Sequence, residues 1–245
     1  MSQAAAHFPA LPSEDLIYRV TGKRDADLFA VSGLLAVDDL EPGLHLLGRK
    51  FCDVRRALDL GCGPGRIARW LQRKIPDAFL LGCDIDEAAI AWAADALPNG
   101  NFVVNGHLPP LPLPAESIDF VYAWSLFTHL DESYQDAWLA ELHRVTIPGA
   151  SLLLTTSGEI MWEYLRTRSA HAKLDDLLAR RADFDRTGFV FWGNDGWEQH
   201  FPAYYHTTFH TPQYVRAHWS SWFEVVDVVL GGAQPAQDMI VLRRR

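Results

Sequence analysis

Cysteine is scarce in this chain: Cys52, Cys62 and Cys83 are the whole complement of 245 residues, and no two of them form a C-x-x-C pair. That excludes a disulfide-stapled scaffold and a zinc ribbon, and it suits a reducing, cytoplasmic setting. Positive charge is also in short supply, with 22 Lys and Arg against 31 Asp and Glu for a net charge of −9. A nucleic-acid backbone calls for a basic surface, so nucleic acid is not an expected partner. The terminal Arg243-Arg244-Arg245 is too short to serve as a basic arm. No apolar run approaches the roughly 20 residues that cross a bilayer, which argues against a membrane partner. The opening MSQAAAHFPALPSED lacks the charged-then-apolar layout of a secretory leader. Internal repeats and low-complexity blocks are missing as well.

What is present is a hydrophobic content of 49%, enough for one globular domain. Residues 1–12, small and proline-containing, read as disordered. Two apolar patches follow, Leu16-Ile17-Val20 and then Leu28, Phe29, Val31, Leu34 and Leu35, with a break at Thr21-Gly22. They predict a helical N-terminal cap. From Arg56 the period changes. Short buried strands are expected over 56–60, 78–83, 102–104, 118–123 and 152–155. Helices are expected over 66–74, 86–96 and 133–145 between them. Asp86 is a natural N-cap for the second helix. Such alternation predicts a parallel sheet with helices on both faces, and a ligand at the carboxyl ends of its strands. Near the end, 211–219 reads as a helix, with Thr211 as cap and Pro212 in its first turn. Strands over 223–229 and 239–242 follow, joined by a short Gly231–Pro235 loop, and suggest an antiparallel edge pair.

The first crossover, ALDLGCGPGRIARW at 57–70, carries the chemistry. A glycine turn after a strand suits a dinucleotide, but that fingerprint wants a small residue at its sixth position, and here stands Arg66. A pyrophosphate on the following helix would also lie near Asp59, which costs Coulomb energy. A cationic amino acid tail gains from the same carboxylate. The turn therefore suits a nucleoside bearing an amino acid, and S-adenosylmethionine is that ligand. Its ammonium can meet Asp59, and its ribose hydroxyls can meet the two oxygens of Asp84 at the end of the second strand.

The segments DLGCGPGR and GCDID resemble the class I S-adenosylmethionine-dependent methyltransferases. NGHLPPLPLPAESIDFVY is similar to that family's third and fourth strands, and ELHRVTIPGASLLLT to its helix, Pro-Gly turn and fifth strand. The likeness covers about residues 50–156. It implies a Rossmann-like, doubly wound, mostly parallel seven-stranded sheet with an antiparallel C-terminal edge. It also implies a cofactor site built from Asp59, Gly61, Cys62, Gly63 and Gly65, then Asp84 and Ile85, with Trp124 and Ser125 after the fourth strand. The family's usual acidic residue after the third strand is replaced by His107, so adenine recognition is expected from His107 and Leu108. The expected layout is a disordered start and helical cap over 1–50, a cofactor-binding core over 51–156, an inserted lid over 157–221, and closing strands over 222–245.

Three histidines are candidate bases for methyl transfer to a hydroxyl. His129 follows the fourth strand in AWSLFTHLDE; His206 and His210 lie in the insertion. Each also suits a packing role. His206 and His210 do not form a zinc pair. The residues between them favour a strand, which separates i and i+4 by about 13 Å. The insertion begins with a helical stretch over 159–181. It continues with a run whose Trp192, Trp197, Tyr204 and Tyr205 suit either an aromatic core or the lining of a substrate pocket. A looser likeness of the tail, YYHTTFHTPQYVRAHWSSWFEVVDV, to glycan and secondary-metabolite methyltransferases implies a small hydroxylated acceptor and O-methylation. Two rivals stand beside this reading: a non-catalytic partner subunit that binds the cofactor, and an aminopropyltransferase. The second lacks the acidic cluster that a polyamine needs. The sequence carries no signal of an oligomeric state.

Overall fold

A computed structural model describes residues 10–168, 174–193, 202, 204–234 and 236–245. The expected disorder over 1–9 and the position of Trp197 lie outside the described residues.

The N-terminal cap is two helices, α1 (Glu14–Thr21) and α2 (Ala26–Leu46). Ser13 caps the first by accepting from Leu16 N–H, and Gly22, at φ 69°, ends it. Asp25 caps the second through Leu28 N–H. Helix α2 buries Phe29, Gly33, Ala36, Val37, Leu40 and Leu44, a stripe at helical spacing that it lays on the sheet.

Strands and helices then alternate: β1 (Arg56–Leu60), α3 (Ala68–Lys74), β2 (Phe79–Asp84), α4 (Glu87–Ala96), β3 (Asn101–Val104), β4 (Ile118–Ala123), α5 (Glu132–Val145) and β5 (Thr146–Thr156). The insertion contains α6 (Glu159–Arg168), α7 (Leu174–Ala179), α8 (Arg181–Thr187), β6 (Phe189–Trp192) and β7 (Thr207–His210). Helix α9 (Pro212–His218) leads into β8 (Phe223–Ala233) and β9 (Gln237–Arg244). The sheet order is β3-β2-β1-β4-β5-β9-β8. Strands β3 to β5 run parallel, and β9 is antiparallel to both β5 and β8. This is the Rossmann-like, doubly wound, seven-stranded sheet that the sequence implied. Its switch point lies between β1 and β4, where Asp59 sits beside Gly82 on one side and Tyr122 on the other.

Burial on both faces explains the near-continuous apolar strands. On one face Ala57, Phe120 and Tyr122 pack with α2 and α3; on the other Leu58, Val121 and Ala123 pack with α5 and α9. The insertion has its own small core of Trp162, Leu177, Phe184, Val190, Trp192 and Phe209. Trp162 and Phe184 stack at 5.2 Å within it. Backbone bonds tie β7 and its approach to the main body: His206 N–H donates to His129 O, Thr208 N–H to Thr128 O, and His210 N–H to Ser157 O, each at 2.8 Å.

Three details depart from the expected pattern. Of the helical stretch expected over 159–181, the described residues form α6 and α7, with residues 169–173 outside the description, and α8 follows them. The run RADFDRT is helical too, because it turns Phe184 into the insertion's small core. Strand β5 begins at Thr146, because α5 gives way directly to extended backbone at its Thr146 cap. The closing strands reach further toward the site than expected: Gly231 to Ala233 belong to β8, and β9 already starts at Gln237.

Glycine is required where α2 meets the approach to α3. A Cβ on Gly33 would stand 2.1 Å from the Arg66 carbonyl oxygen and 3.0 Å from the Trp70 ring. Trp70 Nε1 meanwhile donates to Ala30 O at 2.9 Å, which holds the helix there. Gly33→Ala is expected to cost about 1–3 kcal/mol of stability, seen as a melting temperature lower by roughly 2–10 °C; an unchanged unfolding curve would contradict this close approach.

Candidate cofactor and acceptor site

A cavity of about 800 Å³ opens over the carboxyl ends of β1, β2 and β4. The turn after β1 is made by Gly61, Gly63 and Gly65 at φ 77°, 49° and 73°, the left-handed region in which only glycine is at ease. Gly61 N–H and Cys62 N–H both donate to Cys83 O, at 2.8 and 3.0 Å, and pin the turn to β2. Gly63 N–H donates to Asp84 Oδ2 at 2.7 Å, and Asp86 N–H to Asp84 Oδ1 at 2.9 Å. Each oxygen of Asp84 thus keeps a lone pair for a ligand. Asp86 caps α4 through Ala88 and Ala89 N–H, as expected, and also pairs with Arg19 Nη1 at 2.7 Å.

Asp59 is 2% exposed and accepts from Tyr122 Oη at 2.7 Å. Burial raises its pKa to about 7, against the opposing pull of the Tyr122 hydrogen bond and the Arg66 charge. Burial also lowers Arg66 to about 10, with Asp59 working the other way. The Cys62 and Cys83 thiols are pushed up by burial and by the neighbouring carboxylates, so both stay protonated.

Most of the expected cofactor residues meet on this wall. Asp59, Gly61, Cys62 and Gly63 line it from the turn, Asp84 and Ile85 from the end of β2. Trp124 and Ser125 line it after β4, and His107 after β3. Two do not. Gly65 faces away, where a Cβ would stand 2.4 Å from Leu97 Cδ1. Leu108 is exposed and off the wall. Asn105 was missed: it lines the cavity at the end of β3, and its buried Oδ1 has no hydrogen-bond partner among the described residues. A polar residue ending a strand was the available signal. Gln237, at the start of β9, also lines the wall; it fell between the expected Gly231–Pro235 loop and the expected strand over 239–242. The cap contributes Arg19 to Gly22.

The three histidines separate. His129 is on the cavity wall, its ring stacked on Tyr205 at 4.4 Å. His206 is buried and off the wall, edge-on to Phe191. His210 is 1% exposed, and its Nε2 lies 3.0 Å from Gln135 Oε1. Burial holds its pKa down at about 3, so it stays neutral. His206 and His210 are therefore placed as packing groups. Trp192 likewise sits in the insertion's small core and donates from Nε1 to Asp176 Oδ2 at 2.9 Å. Tyr204 and Tyr205 do line the cavity. Tyr204 stacks on Tyr134 at 4.1 Å and meets His107 Nδ1 through its hydroxyl.

These residues fit S-adenosylmethionine. Asp84 offers two oxygens at the place for a ribose, Asn105 an unsatisfied carbonyl for an amino group, and the Asp59–Arg66 pair opposite charges for an amino acid tail. Fold and site together are similar to those of class I S-adenosylmethionine-dependent methyltransferases. The methyltransferase domain family matches residues 57–149. Over 120 residues the chain is 33% identical to trans-aconitate 2-methyltransferase of Klebsiella pneumoniae (strain 342), covering 49% of this chain and 43% of that one. Over 113 residues it is 33% identical to malonyl-[acyl-carrier protein] O-methyltransferase of Methylococcus capsulatus, covering 45% and 40%. The matches thus span less than half the length of these relatives. Human N-acetylserotonin methyltransferase, solved in complex with S-adenosylmethionine, shares the fold with a TM-score of 0.56 at 17% identity, over 96% of this chain and 60% of that one.

Asp84→Ala is expected to weaken S-adenosylhomocysteine binding about 100-fold in a calorimetric titration, since two charge-assisted hydrogen bonds are lost; unchanged affinity would contradict a ribose at Asp84. Asp59 gives a pH signature. An ammonium pairs only with its ionised form, so affinity should fall about tenfold from pH 8 to pH 6, and Asp59→Asn should flatten that slope. The same raised pKa makes ionisation of Asp59 costly to the fold. The stability it provides is present below the unfolded carboxyl's pKa of about 4 and is lost as pH rises through about 7. Ligand-free Asp59→Asn should therefore melt higher than the parent at pH 8; a lower melting temperature would contradict the burial argument.

Proposed function

We propose that this chain transfers the methyl group of S-adenosylmethionine to a hydroxyl of a small acceptor, such as a sugar derivative or a secondary metabolite. The observation that carries this reading is the single cavity in which Asp59 and Asp84 stand with His129 and the lid tyrosines. Bound there, S-adenosylmethionine supplies a methyl group on a sulfonium. Asp84 would hold the ribose, Asp59 and Arg66 the amino acid tail, and Asn105 with His107 the adenine. Tyr204 and Tyr205 shield the acceptor from water and align it, the main source of rate in such a displacement. His129 would accept the proton of the acceptor hydroxyl, which the methyl group of S-adenosylmethionine would replace. Imidazole exchanges protons near neutral pH, which suits it to that role.

Among the described residues no helix is long and apolar enough to cross a membrane. The three cysteines are free thiols, in accord with a cytoplasmic setting. The family relatives named above lend the reading support, as both are methyltransferases by name.

Incubation with S-adenosylmethionine and a panel of sugars, glycosides and phenols is expected to release S-adenosylhomocysteine and a product heavier by one methylene. His129→Gln should keep S-adenosylhomocysteine binding while lowering kcat by about 10²–10⁴. Recovery of unconverted donor across the panel would favour the non-catalytic binding subunit instead.

A further inference from the structure

Gln237 and Ser125, the latter expected in the cofactor site from the sequence, form a polar pair to which the proposed function gives no role. Strand β9 is antiparallel to β5, so its first residue enters the sheet at the edge where the parallel strands leave it. That brings Gln237 to the cavity wall, although it is only 7% exposed. Its Nε2 donates to Ser125 Oγ at 2.8 Å. Its Oε1 is buried and has no hydrogen-bond partner among the described residues. A buried amide oxygen without a donor is costly, and natural sites seldom keep one without use.

Ser125 is held just as deliberately. It has φ 58°, a left-handed conformation unusual for a residue with a side chain. Its N–H donates to Thr155 Oγ1 at 2.7 Å, which fixes it at the end of β4. Since its Oγ accepts from Gln237, its own proton is left to point elsewhere. Strain of this kind collects at ligand sites.

The pair therefore presents one donor, the Ser125 hydroxyl, beside one acceptor, Gln237 Oε1. A ligand hydroxyl satisfies both, accepting from the first and donating to the second. A carboxylate has no proton to give and leaves Gln237 unsatisfied. A hydroxyl bound this way cannot also pass its single hydrogen to His129. We propose that Ser125 and Gln237 bind a second hydroxyl of the acceptor, so that the substrate class is a diol or polyol rather than a carboxylic acid. This rests on the methyltransferase reading above and narrows its substrate.

The test uses the full chain, with methyl glycosides and catechol as diol probes, phenol as a single-hydroxyl probe, and citrate and tricarballylate as carboxylate probes. S-adenosylhomocysteine release gives KM and kcat, and calorimetry gives affinity for S-adenosylhomocysteine. The unaltered protein should turn over the diols in preference to phenol and to the carboxylates. Gln237→Met should raise KM for a diol about tenfold, leaving kcat and S-adenosylhomocysteine affinity within twofold. Ser125→Gly, which suits the same backbone angle and deletes the hydroxyl, should act in the same direction and guards against a folding defect in the first variant. An unchanged KM in both variants, or preferred turnover of carboxylates, overturns the proposal. A loss of S-adenosylhomocysteine affinity in both overturns it too, because the pair would then serve the cofactor. Failure of the unaltered protein to release S-adenosylhomocysteine from any probe overturns the methyltransferase reading, and this proposal with it.

Discussion

Beside the two backbone bonds to Cys83 O, a hydrogen bond to a carboxylate joins the two halves of the site. Gly63 N–H, in the turn after β1, donates to Asp84 at the end of β2. The bond needs a carboxylate at the strand end, a turn free to adopt positive φ, and two adjacent parallel strands in register. The sheet supplies the register through Leu60 beside Cys83. The glycines supply the turn. Once formed, the bond fixes one face of Asp84 and leaves the rest of the carboxylate to the cavity. Everything else at the site is arranged around that fixed point: Asp59 one strand over, Asn105 beyond β3, Ser125 beyond β4.

Charge at this site is expensive and compensated. Asp59 and Arg66 are both drawn toward their neutral forms by burial, and each is supported by the other. Asp86, also on the wall, is engaged by its cap bonds and by Arg19. A cofactor carrying an ammonium and a carboxylate on one carbon chain answers this arrangement better than a phosphate does, because it brings one partner for each buried charge. The destabilisation that the free protein carries is thereby relieved on binding, a usual trade between stability and function.

The core was legible in the sequence and the insertion largely was not. DLGCGPGR and GCDID announce a turn and a strand end whose geometry follows from local rules, glycine freedom and an N-cap, so Asp59, Gly63, Asp84 and Asp86 were found before any fold was known. Gly65 shows the limit of a motif: the third glycine makes room for Leu97 and is off the cavity wall. In the insertion, aromatics serve both the small core and the cavity wall, and composition does not tell Trp192 from Tyr205. His210 looked like a base because it is a histidine near others; burial against Gln135 made it a packing group. Gln237 was invisible for a topological reason, since only the antiparallel entry of β9 carries a residue so far along the chain to the site.

The most direct test of this account is a crystal structure of the complex with S-adenosylhomocysteine. It should show both ribose hydroxyls within hydrogen-bond distance of Asp84, the amino group beside Asp59, and no contact to Gly65. A ribose seated elsewhere, or a nucleotide phosphate preferred in the Gly61–Gly65 turn, would contradict it.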